Sequence, residues 1–378
     1  MPRIDWAPFL AAEVALILLA VGITVVALRR CLRKMREAPD LRAATLFQFG
    51  RFVPGLSLPV PMVMLVAWAQ NNETHARHLA EWAFAFGWTG YVVAWLATSY
   101  VMSYAWCAAS PERWTRKSFL TTVAIQSAWF VFPPLIAGWA AAVFAWRGPR
   151  EPGPPDPTEA IFWLVATMLT GQLVGRAVKK LSDTGPMEEE TARVTGLLAS
   201  ASKETALPRV AVAACRRAGL ADALAYRHRG TEHIAVDTEV VATFPDDELA
   251  AVLLHELGHH RLGHIRRRTW MHRIAIVGTV LVPTVIGLGH VLTFTIVGLV
   301  LRQYGAMPRW RREEIEADRF AAERCGPRPI AAALARLHRI ALIPDDFQGA
   351  RGAMTHPDLV RRLEALGLTP ADLAAPAS

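Results

Sequence analysis

The chain has 378 residues, 53% of them hydrophobic, and carries a formal net charge of +8 at pH 7. Its mean hydropathy of +0.24, combined with this basic excess, is typical of a membrane protein and not of a soluble enzyme. Arg and Lys cluster at the ends of apolar runs, which indicates anchoring at membrane lipid. No segment resembles a nucleic-acid-binding module, so nucleic acid is excluded as a partner.

Apolar runs dominate the first half of the chain. The runs span residues 7–28, 52–69, 82–107, 119–146, 160–178 and 274–301. Most of them reach the roughly 20 residues that a membrane-spanning helix needs. The first five predict a multi-spanning helical membrane bundle over residues 1–180.

The charges of the loops predict an orientation in the membrane. Arg and Lys are frequent in the loops after the first, third and fifth runs, whereas loops 70–81 and 147–159 are near neutral or slightly acidic. The positive-inside rule places the basic loops in the cytoplasm and the N-terminus outside. The first run ends in Arg29 and Arg30 without a small-residue cleavage site, so we expect a retained anchor and not a cleaved signal peptide.

A soluble domain is predicted from Met187 onward, where the composition becomes more polar. Its first predicted elements are a helix over 188–202, a strand over 207–212, and a strand pair at 223–228 and 233–237 joined by a turn at 229–231. The four cysteines are isolated from one another, so neither a structural disulfide nor a cysteine zinc site is expected.

The central motif is His255-Glu256-Leu-Gly-His259, an HExxH pattern in a helical period that begins near Pro245. On a helix, two histidines four residues apart project from one face, and Glu256 lies about 100° around the axis. Two imidazoles and a third ligand leave one zinc coordination position for water, whose proton the carboxylate can take. The alternative is a helix with two surface histidines, but the acidic first turn and the apolar spacing favour a metal site.

Two features beside the motif leave alternatives open. The strand over 233–237 leads into the motif helix, and it is either an edge strand that can pair with a substrate peptide or an interior strand of a small sheet. Gly258 is a poor helix former, so its presence predicts that another group approaches that face of the helix closely.

His260 and His264 lie four residues apart, on a face predicted to differ from that of the metal pair. A second metal site is one interpretation. A basic, membrane-proximal helix is favoured, because Arg261 and the three arginines at 266–268 surround the two histidines.

The run over 274–301 poses a topological problem. A single crossing would separate the motif histidines from every later residue. Its 28 residues are too few for two full spans, and Pro283 and two glycines break it near the middle. We therefore predict a short hairpin or re-entrant segment that divides the soluble domain, which contains the candidate metal site, into residues 187–273 and 302–378. The metal would then lie near the membrane surface.

The third ligand is expected on a helix over 310–322. One stripe of this helix consists of Glu314, Ala317, Asp318 and Ala321. Small alanines between carboxylates suit a face that packs against another helix, so Glu314 is predicted as the ligand and Asp318 as a hydrogen-bond acceptor from a ligating histidine. Glu313 and Glu316 compete for the ligand role, and an exposed helix with Glu/Arg pairs is the alternative.

Several motifs together carry a family resemblance. They are residues 248–259 with Gly263 and His264, the Glu314-x-x-Ala317-Asp318 pattern, and His356-Pro357 followed by Arg362-Leu363. On these residues the chain resembles the HtpX and CAAX prenyl endopeptidase family of integral-membrane zinc metallopeptidases over about residues 187–366.

The resemblance implies specific roles for these residues. It implies that His255, His259 and Glu314 bind zinc, with Glu256 as general base and Asp318 supporting the site. His356 and Arg362 match a signature near the C-terminus and are given a structural or substrate-contact role. A helix cap at His356 and a surface arginine at Arg362 remain as alternatives.

These observations predict a mainly α fold, with a multi-spanning helical membrane bundle and a zincin-like α+β metallopeptidase domain. The expected function is that of a zinc endopeptidase with one Zn²⁺ per chain, which cleaves protein or peptide substrates in or at the membrane. Its catalytic domain is expected in the cytoplasm, and the Ala, Arg, Gly and Pro bias indicates a GC-rich bacterial genome. The alternatives are a BlaR-like signal-transducing protease that cleaves a regulator, and a catalytically silent membrane scaffold.

Overall fold

The structure is a computed structural model that describes residues 7–56, 78–111, 114–124, 187–213, 223–271, 305–346 and 356–374. It is mainly helical, and the chain divides into two compact units. The first unit contains the described residues up to 124, and the second contains those from 187 onward.

The first unit consists of long apolar helices. They are α1 (Ala7–Glu37), α2 (Arg42–Leu56) and α3 (His78–Ala109), with a 3₁₀ turn at Pro39–Leu41 between the first two. Helix α1 and the Ala85–Ala109 part of α3 are long and apolar enough to cross a membrane. These two helices contain the predicted runs 7–28 and 82–107. The other four runs lie wholly or mostly outside the described residues, so the number of spans stays a prediction.

Helices α1 and α3 pack against each other through a small-residue contact. A Cβ atom at Gly90 of α3 would lie only 1.7 Å from Oε1 of the buried Glu13 of α1, so a larger residue at this position would displace the Glu13 side chain. Other faces of α1 expose large apolar side chains such as Leu18 and Leu19. An exposed apolar surface of this kind suits contact with lipid.

The second unit combines helices with one small sheet. Its elements are α4 (Glu188–Ser202), β1 (Arg209–Ala213), β2 (Ala223–His228), β3 (Thr231–Asp237), α5 (Thr238–Thr243), α6 (Asp246–Arg261), α7 (Met307–Cys325), α8 (Pro327–Ala341), α9 (Leu359–Ala365) and α10 (Pro370–Ala374). A further helical segment covers residues 264–271. The predicted helix over 188–202 is confirmed, and the helix predicted over 310–322 is confirmed within the longer α7.

The sheet has the order β1-β3-β2, with β1 parallel and β2 antiparallel to β3. Arg229 and Gly230 have φ of 49° and 86° and form a two-residue turn, one residue shorter than predicted, because Thr231 already belongs to β3. Strand β3 contains residues 233–237 and lies in the middle of the sheet. The edge-strand interpretation of that segment is therefore wrong, and β2 is an edge strand of the described sheet.

Helix α6 is the buried centre of this unit. Leu249, Leu253, Leu254 and Leu257 are all inaccessible to solvent. They pack among side chains of α4, the sheet and α8, so almost every face of the helix is covered. The N-terminal turn is tied to α8 by Arg336, which donates hydrogen bonds of 2.6 and 2.9 Å to the Glu248 carboxylate.

Gly258 allows α7 to approach α6. A Cβ atom at this position would lie 3.1–3.3 Å from the ring and Cβ atoms of Phe320, which is tighter than most real contacts. The predicted close approach at Gly258 is confirmed, and the approaching group is an aromatic side chain of α7. This contact brings the two motif-bearing helices together.

The polypeptide on both sides of the run over 274–301 belongs to the second unit. Segment 264–271 precedes the run, and α7, which packs against α6, follows it. The described residues on the two sides of the run therefore lie in the same unit, as the predicted hairpin or re-entrant segment requires. The run itself lies outside the described residues, and its form stays a prediction.

A buried histidine in α8 predicts an acid-sensitive stability. His338 is 6% exposed, and burial, reinforced by the Arg362 charge, lowers its pKa from 6.5 to about 4. Between those two pH values the unfolded chain binds a proton that the folded chain does not bind. Folding stability should therefore fall as the pH drops from 6.5 to 4, by on the order of 3 kcal/mol from this group.

The variant His338→Gln cannot titrate and should lose this component of the pH dependence. We expect thermal unfolding in detergent to show wild type losing stability relative to the variant between pH 7 and pH 4. A difference in stability between wild type and variant that stays constant from pH 7 to pH 4 would contradict the lowered pKa of His338.

Candidate metal centre

Three side chains bring metal-ligating atoms together where α6 faces α7. His255 and His259 of α6 are 7% and 4% exposed, and Glu314 of α7 is 2% exposed. The two histidine Nε2 atoms lie 3.2 Å apart. Glu314 places Oε2 3.6 Å from His255 Nε2 and Oε1 3.6 Å from His259 Nε2. Among the described residues, this is the only cluster of such side chains close enough to hold a metal ion.

The spacing of the three donor atoms fits zinc. Zinc–nitrogen bonds of 2.0–2.1 Å in a tetrahedron place neighbouring ligand atoms about 3.3 Å apart. The 3.2 Å between the two histidine nitrogens, and the 3.6 Å from each of them to a different oxygen of Glu314, are close to that value. Two imidazoles and one carboxylate also leave a fourth position open, as in catalytic zinc sites. The predicted ligands therefore lie close together, and their metal-binding role stays a prediction.

Helix α7 can approach the histidines because the predicted stripe on it is buried. Ala317, Asp318 and Ala321 have no exposed surface, and they lie on the same face as Glu314. The alternative of a solvent-exposed Glu/Arg helix is therefore wrong for this face. Small alanines keep the helix axes close, which allows Glu314 and Asp318 to reach the histidines of α6.

Glu256, the predicted general base, contacts the edge of the sheet. Its side chain is buried, and Oε2 accepts a hydrogen bond of 2.6 Å from the backbone N–H of Ala225 in β2. This bond fixes one carboxylate oxygen relative to the strand. The candidate base and the edge strand are therefore parts of one site.

His255 is oriented by a buried ion pair. Its Nδ1 lies 2.9 Å from Oδ1 of Asp318, and Arg362 donates hydrogen bonds of 2.7 and 2.6 Å to the same carboxylate. Burial opposes ionisation, but the charge and hydrogen bonds of Arg362, with the bond from His255, lower the pKa of Asp318. Asp318 is thus placed as an ionised acceptor. Arg362 is only 7% exposed, so its interpretation as a surface arginine is wrong.

His356 contacts the predicted ligand directly. Its Nδ1 lies 2.9 Å from Oε2 of Glu314, although the histidine side chain is 56% exposed. Burial alone would raise the pKa of Glu314, but the charge of His356 and the hydrogen bonds from His255 and His356 hold it well below its usual range. The helix-cap interpretation of His356 is wrong, because the side chain of Asp358 accepts the N-terminal hydrogen bond of α9.

An arginine outside the predicted set also binds Glu314. Arg268 donates a 2.9 Å hydrogen bond from Nη2 to Oε1 of Glu314 and a 2.8 Å bond from Nε to the neighbouring Glu313. Arg267 donates a further bond of 2.9 Å to Glu313. Glu313 is thus ion-paired to both arginines and, unlike Glu314, is not a member of the cluster with His255 and His259. Two arginines expected on a basic membrane-proximal helix are ion-paired to α7.

His264 lies behind His259, contrary to expectation. Its Nδ1 is 3.0 Å from Nδ1 of His259, and its Nε2 is 3.1 Å from Oε2 of Glu316. The chain turns at Gly263, where φ is 72°, and this turn directs His264 back to the metal side. His260 instead lies with Nε2 2.9 Å from a backbone carbonyl of β3. The two histidines therefore diverge and do not form a shared second metal site.

Comparison with known proteins identifies the region that contains this centre. Residues 188–369 match the profile described as Peptidase family M48. This region belongs to peptidase family M48. No curated protein sequence matches the chain significantly. The crystal structure of Ste24p from S. mikatae matches 97% of this chain and 100% of that chain, with a TM-score of 0.54 and 15% sequence identity, which shows a shared fold.

The M48 assignment confirms the predicted resemblance to the HtpX and CAAX prenyl endopeptidase family. The M48 region contains every predicted site residue, from His255 to Arg362. The M48 match over residues 188–369, the Ste24p-like fold and two helices of membrane-spanning length together support a membrane metallopeptidase.

Proposed function

We propose that this M48 chain is a zinc-dependent endopeptidase, with one zinc ion per chain, that cleaves membrane or membrane-associated proteins in an HtpX-like quality-control or processing role. The observation that carries the proposal is the convergence of three donor atoms from His255, His259 and Glu314 next to a buried Glu256. The basic loops support a cytoplasmic position of the site, near the membrane surface.

The proposed reaction divides its work between the metal and the protein. A zinc ion held by the three ligands supplies Lewis acidity for the scissile carbonyl and the attacking water. Glu256 accepts a proton from that water as its oxygen bonds to the carbonyl carbon. Glu256 then passes the proton to the amide nitrogen as the C–N bond breaks, which leaves a carboxylic acid and an amine.

The edge strand gives the substrate a defined place to bind. Within the described residues, β2 pairs only with β3, and the Ala225 N–H points away from β3 toward Glu256. A substrate peptide paired along that outer edge would lie beside the general base. Binding through the backbone would make cleavage tolerant of side-chain sequence, as processing of diverse or misfolded membrane proteins requires.

Metal removal and restoration test this proposal. The full-length protein in lipid nanodiscs is assayed for zinc content and for cleavage of an unfolded membrane-protein substrate, before and after dialysis against a zinc chelator. We expect about one zinc per chain, loss of cleavage with loss of zinc, and recovery of cleavage on adding one equivalent of zinc.

Other outcomes would contradict the zinc mechanism or favour one of the two alternative functions. Cleavage that persists in zinc-free protein would contradict the proposed mechanism. Stoichiometric zinc without cleavage would favour a signal-dependent protease that is latent until activated, or a silent scaffold. A metal-free variant that still complements a deletion strain would favour the scaffold.

A further inference from the structure

The site contains a hydrogen-bonded chain that the proposed mechanism does not use. It runs from His259 through His264 to Glu316, with separations of 3.0 and 3.1 Å. His264 has no exposed surface, and the Glu316 side chain is 44% exposed. The chain therefore connects the buried metal centre to a carboxylate at the protein surface.

The geometry permits one consistent placement of the protons in this chain. Nδ1 of His259 faces Nδ1 of His264, so one of these two nitrogens donates and the other accepts. Nε2 of His259 points toward His255 and Glu314 and must have a free lone pair to bind a metal. His259 therefore has its hydrogen on Nδ1 and donates it, and His264 accepts.

The same reasoning fixes His264. Because its Nδ1 accepts, a neutral His264 has its hydrogen on Nε2, and this nitrogen faces Oε2 of Glu316. If His264 donated from Nδ1 instead, His259 would have to accept there and bear its hydrogen on Nε2. That tautomer of His259 could not bind metal.

We propose that His264 and Glu316 are positioning residues that hold His259 in its metal-binding tautomer. This inference rests on the proposed zinc site. His264 and Glu316 would orient His259 through its Nδ1, as Asp318 and Arg362 orient His255. The difference is that His259 is held by a neutral imidazole and a partly exposed carboxylate, and not by a buried ion pair. Partners that orient a metal-bound histidine also raise its basicity, and their loss typically costs 10–100-fold in metal affinity.

Zinc affinity tests the proposal with a readout other than activity. The full-length protein is titrated with zinc in competition with a chromogenic chelator, as wild type, Glu316→Gln and the control Glu323→Gln. Glu323 lies on the same helix with a 74% exposed side chain, so the control makes the same chemical change away from the site. An ionised carboxylate can only accept a hydrogen bond from Nε2 of His264, whereas an amide can either accept or donate there, so Glu316→Gln no longer selects the tautomer of His264. We therefore expect about tenfold weaker zinc binding for Glu316→Gln, unchanged stoichiometry, and wild-type affinity for the control.

A second pair of variants separates positioning from packing. His264→Gln keeps an acceptor near His259, whereas His264→Leu removes it, so we expect Gln to retain more zinc affinity than Leu. Thermal unfolding of metal-free protein should be the same for wild type and Glu316→Gln, because a packing defect would lower stability without zinc as well.

The possible failures are distinguishable. Wild type that binds no zinc would overturn both the proposed function and this inference. Wild type that binds zinc with the same affinity as Glu316→Gln would overturn this inference alone. Complete loss of zinc in Glu316→Gln at saturating zinc would also overturn it, because Glu316 would then be a direct ligand.

Discussion

Glu256→Gln is expected to reduce peptide hydrolysis roughly 10³-fold while leaving the zinc content unchanged, since a positioned general base contributes about 10²–10⁴ to the rate. The amide cannot accept the proton of the attacking water. Its oxygen can still accept the 2.6 Å hydrogen bond from the Ala225 N–H, so the contact between α6 and β2 is preserved. Single-turnover cleavage and metal analysis of the same protein sample measure the two quantities.

Glu248→Gln is a matched control for this experiment. Glu248 belongs to the same helix, is also buried, and accepts two hydrogen bonds from Arg336. The substitution weakens an ion pair at the start of α6, so we expect lower thermal stability with zinc binding and turnover retained. Equal losses of turnover in Glu248→Gln and Glu256→Gln would show that the effect comes from disturbing α6 and not from removing a base.

The HExxH helix can be predicted because the residues that define it lie close together in the sequence. A helical period, an acidic first turn and histidines four residues apart fix the face on which the ligands lie, independently of the rest of the fold. The predicted start near Pro245 agrees with α6, which begins at Asp246. The buried stripe of α7 was predictable for the same reason, because alanines beside carboxylates indicate a face that packs closely.

Contacts between distant parts of the chain were less accessible to sequence reasoning. Arg268 reaches Glu314 across 46 residues, and nothing in its local pattern distinguishes it from a lipid-facing arginine. Arg362 was assigned only by resemblance, because its role depends on a buried partner, Asp318, 44 residues away. The role of a charged residue in such a pair depends on its partner, and sequence spacing does not show which residue that partner is.

His264 was misplaced by extrapolating a helix. Continuing the α6 period beyond Arg261 puts His264 on a different face from the motif histidines. The positive φ of Gly263 breaks that period and returns His264 to His259. The sequence feature that indicates this is Gly263, because a glycine just after a helical segment is typical of a helix end. The helical periodicity of α6 cannot be extended past such a residue. The sequence left the position of β3 open between edge and interior for a related reason, since strand order depends on pairing across the sheet.

Glu314→Ala is expected to weaken zinc binding by more than about 100-fold and to abolish cleavage, because changes beyond the direct ligands alone cost 10–100-fold. The variant keeps two histidine ligands but loses the carboxylate that lies 3.6 Å from both of their Nε2 atoms. Chelator competition measures the affinity, and cleavage is assayed at saturating zinc. Full zinc retention would transfer the third-ligand role to another residue.

Glu313→Ala is the matched control, since the two glutamates are adjacent, both are 2% exposed and both accept a hydrogen bond from Arg268. Removing Glu313 deletes the hydrogen bonds that it accepts from Arg267 and Arg268, whose side chains are 38% and 30% exposed, so we expect a loss of about 1–3 kcal/mol of folding stability. The two variants are therefore expected to lose different properties, one folding stability and the other zinc binding. Glu313→Ala should unfold at lower temperature but still bind zinc, whereas Glu314→Ala should lose zinc even where it remains folded. A loss of zinc in both variants, in proportion to their loss of stability, would mean that the metal is lost through unfolding and not through removal of a ligand.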